Sequence, residues 1–265
     1  MICDMHTHSE HSHDSTCPIA DMARAAIEKG VSVFAVTDHC DVEYFLERDI
    51  PGRIARSVQG AKEAARAFAG RVTILHGVEI GEGIWNTDYT NQILNAHEFD
   101  AVIGSVHAVL HDLREPYSVI DFTDISDAVI HEYMQQYFTD VLTMLHTIPC
   151  DILAHLTCPL RYIVGKYGKS LHTQDFRPII TDILSYIIEH HIALEVNTSG
   201  NDPMPDWWII ELYHQMGGRL ITLGSDAHIR ANLAKNFEKT SRKLRKIGFK
   251  TAYFYQNRKE IAYKL

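Results

Sequence analysis

Short β-branched or apolar runs alternate with longer segments of helical spacing along the whole chain. The runs cover 1–8, 31–39, 72–80, 100–109, 150–156, 192–200 and 219–228. Amphipathic segments fill the intervals at 19–30, 53–70, 91–99, 126–147, 177–191 and 206–218, and a last one at 233–248 precedes a terminal Thr-Ala-Tyr-Phe-Tyr that reads as an extra strand. Strands separated by helices must run parallel, because a parallel pair needs a crossover where an antiparallel pair needs only a turn. Seven parallel strands with covering helices are therefore expected. Gly30 and Gly217–Gly218 fall where helix C-caps are wanted, and Pro178 suits a first helical turn. At 265 residues the chain can bury one substantial core, and residues 1–265 are expected to form one domain.

The longer connections, 40–52, 81–90, 110–125 and 157–176, all follow strands. In an α/β barrel those are the loops that carry the chemistry. Apolar runs also end, one after another, in metal-binding residues: His6 and His8, His39, Glu79, His107, His155, then Asp226 and His228. Side chains alternate across a strand, so His6 and His8 share a face, and Asp226 and His228 share one if their strand extends that far. Asp4, one step deeper on the face of His6, is placed to orient that ring as a hydrogen-bond acceptor. If the strands close into a barrel, these ends converge on one mouth.

A buried imidazole cluster is costly to desolvate unless something such as a metal satisfies it. Nitrogen and oxygen ligands without cysteine suit Zn, Mn or Fe and leave the choice among them open. Histidine is abundant here, at 17 residues, and most need no functional explanation. His76, His97, His131, His146, His172, His190, His191 and His214 lie mid-strand or in helices without a matching partner and read as surface or hydrogen-bonded core residues. The pair Trp207–Trp208 reads as packing.

Several function classes are disfavoured. Formal net charge is −9 with no Lys/Arg-rich stripe, so the electrostatic footprint of a nucleic-acid binder is missing. Five cysteines (Cys3, Cys17, Cys40, Cys150, Cys158) without C-x-x-C spacing suggest reduced, buried thiols. No apolar run reaches the roughly 18 residues of a membrane span, and no secretory signal pattern opens the chain, which makes the cytoplasm the expected location. "GVEIGEG" lacks the order of a dinucleotide fingerprint, "GKYGKS" at 165–170 lacks P-loop spacing, and no G-x-S-x-G is present.

With H-x-H on the first strand, "TDH" at 37–39, "GVE" at 77–79, "SVH" at 105–107, "AHL" at 154–156 and "SDAH" at 225–228, the sequence resembles the PHP (polymerase and histidinol phosphatase) superfamily, most closely its histidinol-phosphatase type. The resemblance implies a distorted seven-stranded (β/α) barrel with three metal ions at the C-terminal mouth. By motif, the first ion would take His6, His8, Glu79 and Asp226, the second Glu79, His107 and His155, and the third Asp14, His39 and His228. Glu79 would bridge, and His13 competes with Asp14. Such a centre implies hydrolysis of a small phosphomonoester, first among them L-histidinol phosphate of histidine biosynthesis, by a water that two adjacent cations acidify. Glu79, Asp226 and Arg161 are the catalytic candidates it implies, with Arg161 holding phosphate. Glu195 and Asn197 share a strand face and are expected to line the barrel floor or pocket wall, Asn197 as a substrate-binding candidate.

The sequence departs from the family's pattern where a Leu-Arg pair is expected after Asn-Thr-Ser-Gly, for here Asn201-Asp202-Pro203 follows. Arg114, Lys166 or Lys169 would have to supply the missing cation. The departure keeps open a different phosphoester substrate, such as a nucleotide, phosphotyrosine or phosphodiester, and beyond that a non-catalytic metal-binding protein. Oligomeric state is not readable from the sequence.

Overall fold

Parallel strands buried on both faces read as near-continuous apolar runs, and the computed structural model, which describes residues 1–265, shows that arrangement. In chain order the elements are β1 (Cys3–Thr7), α1 (Ile19–Glu28), β2 (Val33–Val36), β3 (His39–Asp41), α2 (Ile50–Ala67), β4 (Thr73–Gly81), α3 (Thr87–Ala96), β5 (Ala101–Ser105), α4 (Asp127–Thr147), β6 (Ile152–Leu153), α5 (Pro159–Ile163), α6 (Arg177–Glu189), β7 (Ala193–Asn197), α7 (Trp207–Gln215), β8 (Ile221–Gly224), α8 (Phe237–Ile247), β9 (Thr251–Gln256) and β10 (Lys259–Lys264). The sheet order is β1-β2-β4-β5-β6-β7-β8, all parallel, with β3 paired to β4.

The ring closes through a thin seam. Thr7 and Ala227 form a single parallel bridge, supported by His8 N–H donating to Ala227 O at 3.0 Å and Asp226 N–H to His6 O at 2.8 Å. The result is a nearly closed seven-stranded α/β barrel, as expected, with two local differences that matter to the mouth.

First, the run at 31–39 is two strands. β2 pairs with the first half of the nine-residue β4 and β3 with its second half. The chain breaks at Thr37–Asp38 because the Asp38 carboxylate, 1% exposed, accepts hydrogen bonds from Ser9 N, Ser9 Oγ, Ser12 Oγ and Ser57 Oγ at 2.5–2.8 Å. Second, β8 stops at Gly224, and Asp226 adopts a left-handed φ of 53°. Asp226 and His228 therefore do not share a strand face as expected; the turn delivers them separately.

Helices start and stop near their expected positions. Helix α2 begins at Ile50 with Pro51 in its first turn, a place where proline's missing N–H costs nothing. Gly30 (φ 69°) and Gly217 (φ 98°) hold left-handed turns after α1 and α7. The connection read as loop at 157–176 contains the short α5. The terminal strand gains an antiparallel partner: Asn257 and Arg258, both at positive φ, make the tight turn that favours a hairpin between β9 and β10. Its tip binds the N-terminal end of the barrel, Asn257 N–H donating to Asp100 Oδ1 at 2.9 Å and Arg258 pairing with Asp151.

Candidate metal centre

Because each strand ends at the same face, the first residues past each end are neighbours in space. Glu79, near the C-terminal end of β4 and fully buried, is the hub. Its Oε1 lies 3.0 Å from His155 Nε2 and 3.3 Å from His107 Nε2. Its Oε2 lies 2.9 Å from His39 Nδ1, 3.2 Å from His6 Nε2 and 3.5 Å from His8 Nε2. Asp226 Oδ1 is 3.3 Å from His8 Nε2, and Asp14 Oδ2 is 3.1 Å from His228 Nε2 and 3.6 Å from His39 Nε2. All nine residues read from the sequence as ligands thus meet at one mouth.

The competing His13 lines the same mouth, its ring centre 5.3 Å from that of His39, but its Nδ1 faces Asp41 Oδ2 at 3.2 Å. Asp4 does not reach the His6 ring. Its carboxylate accepts from the His6 backbone N–H at 3.4 Å and from Ser225 N–H, Ser225 Oγ and Ala234 N–H. Glu195 takes the orienting role. Its Oε1 lies 2.7 Å from His6 Nδ1 while Oε2 accepts from His155 N–H at 2.6 Å, so one carboxylate positions two ligand strands. Asn197 is fully buried and does not line the cavity. Its Nδ2 donates to Glu195 Oε2 and its Oδ1 accepts from Ser199, which makes it a brace beneath the mouth.

Whether this set fits metal ions is decided by what it leaves unsatisfied. The ring nitrogens His6 Nε2, His8 Nε2, His39 Nδ1 and His228 Nε2, and Glu79 Oε2, are buried without a hydrogen-bond partner. Buried polar atoms are normally paired, and orphans aimed at one point call for a ligand. Ligand atoms of His6, His8 and Glu79, of His8, His39 and His228, and of His39, Glu79 and His107 each lie within 4.8 Å of one another. The donor set fits more than one cation.

Charge is arranged to match. Burial pushes the His6, His39 and His107 rings down, but Glu195 and Glu79 beside His6, Glu79 and Asp41 beside His39, and Glu79 and Asp41 beside His107 hold them well above an ordinary imidazole. Burial alone would raise Glu79; His6, His39 and His107 hold its carboxyl well below the usual range. His8 goes the other way, pushed down to about 3 by burial and by repulsion from His228 and His39, so it is neutral and ready to coordinate. Its Nδ1 is fixed by Ser12 Oγ at 3.0 Å.

Several participants were not foreseen. Asp41 Oδ1 stands 3.4 Å from His107 Nδ1, and its position two residues after His39 on β3 is a period-two signal available in the sequence. Glu82 accepts the backbone N–H groups of His107 and Ala108. Glu43 lines the cavity, and burial together with the neighbouring Glu82 carboxylate pushes its carboxyl up, so the pair favours holding a proton between them.

Over the centre opens a cavity of about 690 Å³ whose lining includes Asp14, His39, His107, His155, Asp226, His228 and Arg161. None of Arg114, Lys166 and Lys169 lines it. Lys169 Nζ is spent on the carbonyls of Thr123 and Ile125, and Lys166 lies over the Tyr167 ring. The remaining lining cations are Arg48 and Lys235.

A PHP domain family model matches residues 4–199, nearly three quarters of the chain. The chain belongs to the PHP domain family. A histidinol-phosphatase of Lactococcus lactis subsp. lactis is 28% identical over 93% of this chain and 91% of its own length. A Thermotoga maritima protein named "Probable histidinol-phosphatase" is 26% identical over 93% and 92%. Among solved structures, the L. lactis histidinol phosphate phosphatase, complexed with zinc, L-histidinol and phosphate, superposes with a TM-score of 0.81 at 23% identity over 98% of both chains. A Listeria monocytogenes structure described as a "putative histidinol phosphatase" gives a TM-score of 0.74 at 17% identity, covering 89% of this chain and 99% of that one. This PHP domain thus shares its barrel with both. No helix in it is long and apolar enough to cross a membrane.

Proposed function

We propose that this protein is a metal-dependent phosphomonoesterase, with L-histidinol phosphate as its leading substrate and residues 1–265 as one catalytic domain. The observation that carries the reading is Glu79, a buried carboxylate whose two oxygens face two different groups of imidazoles. We assign His6, His8, Glu79 and Asp226 to one ion, Glu79, His107 and His155 to a second, and Asp14, His39 and His228 to a third, each Zn, Mn or Fe. When bound, adjacent ions lower the pKa of a shared water and neutralise phosphoryl charge.

The chain's own groups do the rest. Glu195, Ser12 and Asp41 fix the rings of His6, His8 and His107 before substrate arrives, so little reorganisation is needed during reaction. Arg161 has no carboxylate partner and lines the cavity, which suits it to hold phosphate oxygens. Glu115, a carboxylate in the cavity lining, can accept from the donors of an amino alcohol, a leaving group of the kind L-histidinol provides. The names of the L. lactis and T. maritima relatives support that substrate. Asp202, where a basic residue was expected, keeps other phosphoesters in the test.

The test is a phosphate-release screen of purified protein loaded with Zn, Mn or Fe, across L-histidinol phosphate, nucleotides, phosphotyrosine and phosphodiesters. Turnover of L-histidinol phosphate above the others is expected. Absence of turnover with every phosphoester and every metal would refute the enzyme reading.

A further inference from the structure

Three cations line the mouth, and they are not equivalent. Arg48 is neutralised, 3.6 Å from Asp41 and stacked on the Tyr44 ring. Arg161 and Lys235 have no carboxylate partner, and together with Ser199 they are the residues shared by the metal-centre cavity and a side cavity of about 800 Å³. Two cations without a carboxylate within 4 Å therefore stand where the two cavities share their lining.

The backbone around Lys235 is held in an unusual way. Its neighbours Ala234 and Asn236 are both left-handed, at φ 53° and 63°, a conformation that side-chain-bearing residues seldom adopt without outside support. That support is visible. Ala234 N–H donates to the fully buried Asp4 carboxylate at 2.9 Å, and Asn236 Nδ2 donates to the carbonyls of Thr198 and Gly200 at 3.2 and 2.8 Å. The residues on either side of the lysine are thus anchored, one to the barrel interior and one to the turn after β7. Lys235 Nζ donates to Ser199 O at 2.9 Å. Since Asn236 already secures that turn, the lysine is redundant as a brace. A lysine ammonium has three donors; one carbonyl uses a single donor and leaves the charge uncancelled.

We propose that Lys235 is a substrate-binding residue that, with Arg161, grips the phosphoryl oxygens of the ester at the border of the two cavities. This rests on the phosphomonoesterase reading above. A dianionic phosphate is the ligand class that matches two cations beside a multi-ion centre, and a lysine serves it as a point charge. The expected effect of losing one charge-assisted hydrogen bond to such a group is about tenfold or more in affinity.

The experiment uses metal-loaded full-length protein, with steady-state hydrolysis of L-histidinol phosphate and inorganic phosphate as product inhibitor. Lys235→Met is expected to raise both KM and the phosphate inhibition constant about tenfold, with kcat within about threefold and an unchanged melting temperature. Lys235→Arg is expected to restore both constants. Lys239 donates to the Asn201 carbonyl from the same region but lines neither cavity, so Lys239→Met serves as the control and should leave both constants unchanged. An active wild type whose constants do not change in Lys235→Met, or change equally in Lys239→Met, overturns the role of Lys235 alone. A wild type that neither hydrolyses a phosphoester nor binds phosphate overturns the phosphatase reading together with it.

Discussion

Replacing Glu79 by Gln changes one charge and almost no volume at the hub of the mouth. Five imidazole nitrogens stand 2.9, 3.0, 3.2, 3.3 and 3.5 Å from its oxygens, and in the assignment above it serves two ions. With an effective dielectric near 20, two unit charges about 4 Å apart attract by roughly 4 kcal/mol. A doubly charged ion loses at least that much when the carboxylate becomes an amide. At about 1.4 kcal/mol per factor of ten, each bridged ion should bind at least ~10³-fold more weakly. The variant protein, dialysed against a mild chelator and analysed for metal by mass spectrometry, should retain fewer ions than wild type, and its phosphate release should fall by at least ~10³-fold. Its circular dichroism should stay native, because the amide nearly matches the carboxylate in volume and leaves the backbone pairing of β4 with β3 and β5 intact. A Glu79→Gln protein with full metal content and turnover within tenfold of wild type would refute the bridging assignment.

Further outcomes follow from the same geometry. His6, His39 and His107 hold protons more tightly than free imidazole, so their ion pairs stabilise the metal-free protein fully below about pH 6.5 and lose that contribution as pH rises through the folded values; chelator-treated protein should melt lower at pH 9 than at pH 6.5, and the opposite trend would sink this account. Metal uptake displaces those protons, so affinity should rise with pH and calorimetry in buffers of different ionisation enthalpy should report proton release. Asp14→Ala should lower metal content by about one ion per chain whereas His13→Ala should not, because only Asp14 stands beside His39 and His228; equal losses would return the question to His13. Asp38→Ala strands four donors from Ser9, Ser12 and Ser57 and should cost about 3–5 kcal/mol, lowering the melting temperature by about 5–10 °C; a shift under about 2 °C would show that water replaces the carboxylate.

What the sequence disclosed and what it hid divide along physical lines. The barrel was legible because parallel strands carry long apolar runs and end in the same direction, so a list of strand ends is already a list of neighbours. The convergence of His6, His8, His39, Glu79, His107 and His155 follows from that rule alone. Features set by local breaks were not legible. Asp38 ends a strand by gathering serines from two other segments, and no periodicity announces it. The turn at Asp226 separates two residues that strand alternation would pair. Glu195, from a strand far along the chain, meets the His6 ring where Asp4 on the same strand does not, and strand alternation within β1 cannot announce a partner from β7. Lys235 was hidden for a related reason: its position depends on two left-handed neighbours, neither of them glycine.

The seam between Thr7 and Ala227 joins the first and last strands of the barrel, and in the assignment proposed above both sides of it supply ligands to the same ion. His6 and His8 arrive with the first strand to be synthesised, and Asp226 and His228 only after the last barrel strand. A chain still on the ribosome, or cut short before the eighth strand, therefore exposes imidazoles but owns no finished cage. In the assignment proposed above, that cage is complete only once the chain has been made through His228 and the last barrel strand has met the first.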